Sequence, residues 1–401
     1  RKGMLFVGTE TGVFVSIDDG KDWRRLNLNM PPLPVHDIEV KGNDLVIATH
    51  GMGFWILDEI GPLRQFTWDL AEKPAHLFKP GDHTRFGYIW WLDYGGGPPS
   101  DKKYYFVRNA EPGYTFYERG TVSGERKRDY LNAGDARPRG VIIDYLLSED
   151  AKEVSLSILD ADGNEVRTWG MDEIPTERFT TFDNRGYEQD LVTGEPKATA
   201  SKGLNRFVWD MRYPNVSAIP GVPPVLLNPI AKPGSYQVRL TVDGESQTQP
   251  FELKINPNEV YTREQTDEKA AFWMALYAKT EEGIQSVLAA KAAQEKVAKA
   301  LEGDGSDALK AQAEAIDKLA QDYVASMVAT GATLVQIISE ETKPLSKLVT
   351  LHNIMEHSEG PPNQPMREVY AKVAAEIDEG SATFKTALDK KMAKFDELAG
   401  G

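Results

Sequence analysis

The feature that most constrains this chain is a repeat near its start. The segment LFVGTETGVFVSIDDG, beginning at Leu5, can be set beside LVIATHGMGFWILDEI, beginning at Leu45. Thr9 then matches Thr49, Phe14 matches Phe54 and Asp18 matches Asp58, each 40 residues apart. Each copy is an apolar run, a polar turn and a second apolar run. That is the pattern of a β-hairpin, repeated at the length of one β-propeller blade. Two hairpins cannot close such a ring, which takes roughly four to eight blades. Residues 1–73 are therefore expected to be terminal blades whose neighbours lie upstream. The chain opens on Arg1 with strand-like sequence at once, and no signal peptide is expected within it. We expect it to be the C-terminal part of a longer protein.

The first hairpin ends in SIDDGKDW, from Ser16 to Trp23. It fits S-x-D-x-G-x-x-W, the Asp-box of BNR repeats, with Asp22 where a threonine is usual. Ser16, Asp18, Gly20 and Trp23 are the box residues. Asp18 can accept bonds from turn amides, Gly20 can take a positive φ at low cost, and Trp23 can fold back and bury its ring between blades. The structural reading is a clasp on the hairpin. A catalytic acid and a calcium ligand are the two rival readings, and the alternating aspartates of a calcium loop are missing.

From about Pro74 the pattern becomes that of short alternating strands. RPRGVIIDYLLS, EVSLSILDADGNEVRTW, GLNRFVWDMRYP, GSYQVRLTVDGES and QPFELKINP carry the spacing and turn signals of a β-sandwich. In ILDADGNEV a hairpin turn is expected at Asp162-Gly163, with positive φ at both residues. Val238, Leu240 and Val242 alternate with Arg239 and Thr241, which predicts one buried strand face. Two inserts interrupt the pattern. GYIWWLDYGGGPPSDKKYYF puts Trp90, Trp91 and Tyr94 beside a run of three glycines. Those rings either stack on sugars or peptide side chains, or cover the join between blades and sandwich. EIPTERFTTFDNRGYEQDLVTGEPKATASK is polar and reads as a surface loop or a linker.

Beyond Asn258 the sequence turns rich in Ala, Glu and Lys. Thr262 and Gln265 form a capping-box pattern at the start of a long helix. Ala271, Met274, Ala275, Ala278, Ile284, Val287 and Leu288 are expected to share its buried face. Further helices are expected from about Asp307 to Thr342, over LSKLVTLHNIMEHSEG, and from MREVYAK to the end. Short connections imply an antiparallel helical bundle.

The series VSLSILDADGNEVRTW, GLNRFVWDMR and GSYQVRLTV resembles the Ig-like domain of FlgD type. Together with the Asp-box hairpins and the helical tail, it resembles the bacterial Vps10/sortilin-like BNR-repeat family over nearly the whole chain. That resemblance implies an exported bacterial protein (periplasmic, cell-surface or secreted), often labelled glycosyl hydrolase by propeller analogy. The cysteine-rich modules of animal sortilins have no counterpart, so a sorting-receptor role does not carry over.

The chemistry of the chain is otherwise sparse. With no cysteine, it has no disulfide, catalytic thiol or thiolate metal site. A net charge of −15 opposes binding to nucleic acid, and no apolar run approaches the roughly 18 residues of a membrane span. His352 and His357, five apart around Glu356, do not fit H-E-x-x-H. No G-x-S-x-G elbow or phosphate-binding loop is present, and GTETG is followed by no helix. His50, in the turn THGMG, is a candidate ligand-binding residue because blade turns can face a propeller's channel. No metal or cofactor is expected.

The expected whole is a multidomain β-plus-α chain: terminal propeller blades at 1–73, an Ig-like or fibronectin-III-like β-sandwich with inserted loops at 74–258, and an antiparallel helical bundle at 259–401. Its expected role is non-catalytic. It would stabilise the upstream propeller blades of the same protein, with protein, peptide or polysaccharide as candidate partners. The alternative is part of a glycoside hydrolase whose paired carboxylates lie upstream.

Overall fold

The computed structural model describes residues 1–85, 100–106, 114–120, 126–130, 138, 140–171, 177–182, 188–193, 196–222, 227–302, 306–328, 343–358 and 360–400. The structure is mixed β and α, with small, mainly antiparallel sheets first and long helices last.

Two three-stranded sheets form the N-terminal region. One holds β1 (Leu5–Thr9), β2 (Gly12–Ser16) and β3 (Arg24–Arg25). The other holds β4 (Val35–Lys41), β5 (Asp44–Thr49) and β6 (Phe54–Leu57). They share one apolar core, in which Val13 and Phe6 of the first sheet meet Leu45, Ile47, Ile38 and Trp55 of the second. Gly8 makes this approach close. A Cβ there would lie 2.5 Å from Cγ1 of Val35, so no larger residue fits without a shift. A short helix α1 (Gly61–Gln65) and a 3-10 turn (Trp68–Glu72) lead out of this region.

The middle region has two sheets around a second core. β7 (Ala75–Leu77), β12 (Val141–Leu147) and β17 (Gly203–Trp209) form one, in the order β17-β12-β7. The other runs β14-β13-β18-β19-β8, from β8 (His83–Thr84), β13 (Val154–Leu159), β14 (Glu165–Trp169), β18 (Gly234–Val242) and β19 (Glu245–Lys254). Alternation on β18 is as the pattern predicts: Val238, Leu240 and Val242 are buried and Arg239 and Thr241 are not. Trp209, Tyr236 and Phe251 meet at centroid distances of 5.7–6.1 Å in the shared core, Tyr236 and Phe251 stacked and Trp209 inclined to both. Gln247 and Gln249 join the sheets at one corner. Gln247 accepts from the Leu77 N–H and donates to the Ala75 carbonyl, and Gln249 donates to the Leu77 carbonyl.

Two expectations in this region need correction. At ILDADGNEV only Gly163 has positive φ; Asp162 does not. The loop is longer because the Asp160 carboxylate accepts the N–H groups of Asp162 and Asn164 and holds the chain in a side-chain-supported turn. The tight hairpin with two positive φ values is at Asp243-Gly244 instead, between β18 and β19. The polar segment after residue 173 contains a hairpin of β15 (Glu177–Phe182) and β16 (Glu188–Thr193). A further sheet, in the order β11-β10-β9, comes from β9 (Ser100–Phe106), β10 (Tyr114–Gly120) and β11 (Arg126–Tyr130).

The helices are α2 (Arg263–Glu302), α3 (Asp307–Met327), α4 (Pro344–His357) and α5 (Gln364–Gly400). The capping box is complete: the Thr262 N–H donates to Gln265 Oε1, and the Gln265 N–H donates to Thr262 Oγ1. The buried stripe of α2 differs from the expected one in its first half. Ala271, Ala275 and Ala278 are exposed, while Phe272, Trp273, Leu276 and Thr280 are inside. Larger rings bury far more apolar area than alanine methyls, so they set which face turns in. The stripe then continues as expected through Ile284 and Val287. Helix α3 ends at Met327, where Val328 is already extended; the remainder of the span expected to reach Thr342 lies outside the described residues. Among the described residues no helix is long and apolar enough to cross a membrane.

Candidate functional site

The Asp-box residues meet in one turn. Ser16 Oγ, almost wholly buried, donates to Asp18 Oδ1 at 2.8 Å and accepts the Gly20 N–H at 2.9 Å. Asp18 Oδ1 also accepts the Asp22 N–H at 3.0 Å. That bond first, and the Ser16 hydroxyl second, hold the Asp18 carboxyl below its ordinary value. Asp19 and Gly20 both take positive φ, +60° and +85°, which turns the chain sharply enough for these bonds to form. The Trp23 ring lies over Gly20, at 3.7 Å from where a Cβ would stand, yet 41% of it is exposed. Every polar atom of Asp18 named here is engaged by its own turn, and no second carboxylate faces it in these contacts. The arrangement holds a hairpin end.

The second hairpin turn is built differently. Its loop from Thr49 to Phe54 has one residue more than the first, with positive φ at Gly51 and Gly53. This shifts the repeat. Val7 pairs with Phe14, and Ile47 pairs with Trp55, so Trp55 and not Phe54 is the counterpart of Phe14. The repeat spacing is 40 on the first strands and 41 on the second strands, and returns to 40 at the positive-φ residues Asp19 and Glu59. In this turn the exposed His50 ring stacks on His36 at 5.2 Å with 23° between planes. His36 sits at the bulge where the β4–β5 register shifts, a position with no sequence signal of its own. Trp90, Trp91 and Tyr94 lie outside the described residues.

Equivalent repeat positions have opposite burial. Leu5 and Val7 are 43% and 40% exposed, while their counterparts Leu45 and Ile47 are 0% and 4%. Phe54 and Ile56 are 77% and 57% exposed, while their counterparts Val13 and Val15 are 0% and 6%. The two sheets therefore stack head to tail: one face of the first packs on the opposite face of the second. Each outer face left open has the apolar character of a face that is buried in the other copy. Asn27 is a second residue without a sequence signal. Its side chain accepts the Val13 N–H and donates to the Thr11 carbonyl, completing the β2 edge beyond the short β3. It lies so close to Gly12 (φ +133°) that any Cβ there would clash.

In the helices, His352 is 2% exposed. Its Nδ1 accepts from Trp273 Nε1 at 3.0 Å, which leaves the proton on Nε2, 3.3 Å from Thr280 Oγ1. Burial lowers its pKa to about 4, with the Leu276 carbonyl pulling weakly the other way. Glu356 pairs with Arg212. Among the described residues no group of three or more metal-ligating side chains converges.

No family model matches the chain, and no curated protein matches it. Among solved structures it is similar to CopC from Methylosinus trichosporium OB3b, at 15% identity over 32% of this chain and 86% of that one. The TM-score is 0.15, which carries no argument about fold or function.

Proposed function

We propose that residues 1–73 are members of a longer stack of β-sheets, a β-propeller of BNR type, and that the rest of the chain is its non-catalytic accessory region. The middle region then serves as an Ig-like sandwich and the helices as a bundle that braces it. The observation that carries this reading is the head-to-tail stacking. A heterologous contact between repeated units leaves one complementary face open at each end, and such contacts propagate until they close on themselves. Leu5 and Val7 at one end, and Phe54 and Ile56 at the other, are the faces further blades would cover. The Asp-box turn supports the same reading, since its bonds fix a hairpin end. An exported bacterial location and protein or glycan partners are parts of the proposal drawn from the resemblance to sortilin-like proteins.

Two measurements test it. Limited proteolysis should cut within residues 1–73 first, because their sheet edges and outer faces are uncovered, and leave a resistant product beginning near Pro74. Assays of the 401-residue chain on sialosides, xyloglucan and β-glucans should show no turnover. Turnover that disappears when a carboxylate of this chain is neutralised would establish the glycoside hydrolase instead.

A further inference from the structure

A cavity of about 70 Å³ lies where the segment after β17 crosses the helices. Val216 and Ile219 of that segment, Ile284 of α2, and Leu345 and Val349 of α4 give it apolar walls. Four polar side chains also line it: Asn215, Ser217, Thr280 and Ser346. Three of these are engaged. Asn215 Oδ1 accepts the Leu227 N–H at 2.7 Å. Ser217 Oγ donates to Glu281 and accepts from Gln285. Thr280 Oγ1 donates to the Leu276 carbonyl at 2.8 Å and faces His352. The fourth is not. Ser346 is 1% exposed, and its Oγ has no hydrogen-bond partner.

An unpaired buried hydroxyl costs about 1–3 kcal/mol, so a native structure that keeps one needs a reason. Water is one candidate occupant: it wants two to four polar partners, and among the described polar side chains lining the cavity the Ser346 hydroxyl is the one without a hydrogen bond. The ligand that fits is mostly apolar with one oxygen. Ser346 lies in the first turn of α4, where no side chain caps the helix and the first N–H groups have no partner within it. That end of a helix favours an acceptor oxygen over a donor. A carboxylate is disfavoured by Glu281, whose charge sits one bond away behind Ser217. Hydrogen bonds from Ser217 and Gln285 outweigh the effect of burial there and keep Glu281 ionised.

We infer that this cavity binds a small neutral carbonyl compound, a ketone or ester of about four to six carbons, since its volume corresponds to about five waters. The carbonyl oxygen accepts from Ser346 Oγ, and the alkyl group lies against Val216, Ile284 and Val349. The site is independent of the blade reading and stands or falls without it.

The test is a methyl-detected NMR titration of the 401-residue chain with 2-pentanone. Saturable shifts confined to the methyls of Val216, Ile219, Ile284 and Val349 are expected. Ser346→Ala removes a hydroxyl without adding bulk, so it should fold; it should weaken binding roughly tenfold, the worth of one hydrogen bond. Val349→Phe should fill the cavity and abolish the shifts. Absence of saturation up to the solubility limit of the ketone overturns the inference. So does equal affinity in the parent chain and Ser346→Ala, which would leave only non-specific apolar contact. A long-lived water at Ser346 that 2-pentanone does not displace overturns it as well.

Discussion

In the helical region, Leu276, Val287, Leu348 and Ile377 all enter one shared core. In the N-terminal sheets, Phe54 and Ile56 stand in solvent although the matching Val13 and Val15 are buried. Both regions begin from apolar periodicity, and the difference lies in geometry. A helix of this kind has one apolar stripe, and a few helices around a common axis can satisfy all of them. A sheet has two faces, and two stacked sheets always leave two faces open. The helices are thus closed by packing on one another and on the segment around Val216 and Ile219, whereas the sheets are open-ended.

The comparison can be broken at several points. The largest effect is expected at Leu276→Ala, in the middle of the helical core. Removing a fully buried leucine there should cost about 3 kcal/mol, read as lost hydrogen-exchange protection along α2. A loss under about 1 kcal/mol would mean the helices are not held by that core.

The next effect is a pH dependence confined to the helices. His352 has a folded pKa near 4 against an ordinary value of 6.5. Between those values the unfolded chain takes up a proton that the folded chain refuses. Stability is therefore full above about pH 6.5 and falls by up to about 3 kcal/mol as the pH drops to about 4, with little further loss from this group below that. His352→Gln should flatten this slope in α2 and α4 protection. An unchanged slope would show that His352 is not the titrating group.

In the N-terminal region the effects should be smaller. Ser16→Ala removes the three hydrogen bonds of its hydroxyl and leaves the Asp18 and Gly20 N–H groups without that acceptor, at a cost of about 1 kcal/mol. It should speed proteolysis within 1–73 and leave the helices untouched. The smallest effect is expected at Phe54→Ser, which should change the stability of the 401-residue chain by less than about 0.5 kcal/mol. The same substitution should weaken any association that covers that face. If Phe54→Ser destabilised the isolated chain as Leu276→Ala does, the sheets would be closed and the contrast between the regions would fail.

Much of the local structure was legible from periodicity and turn chemistry. Alternation placed β18, and the capping box of Thr262 and Gln265 placed the start of α2, because both depend on neighbours in sequence. The misreadings share a cause. Trp55 replaced Phe54 as the counterpart of Phe14 because one extra loop residue shifts a strand register, which direct sequence alignment does not see. The face of α2 was misplaced because small alanines match a helical period as well as large rings do, and only competition for a finite core decides between them. His36, Asn27 and Ser346 were missed because each depends on partners distant in sequence or on what lies across a cavity.

The sequence by itself determined most of the strands and helices outside the two inserts, where several of them begin, and that the first two hairpins repeat. These follow from backbone propensity, alternation and capping, which act over a few residues. Only the tertiary structure decided which face of each repeated sheet is buried, that burial keeps His352 neutral beside Trp273, and that Ser346 is left facing a cavity without a partner. Those outcomes depend on shape and desolvation between segments tens of residues apart, and no local pattern encodes them.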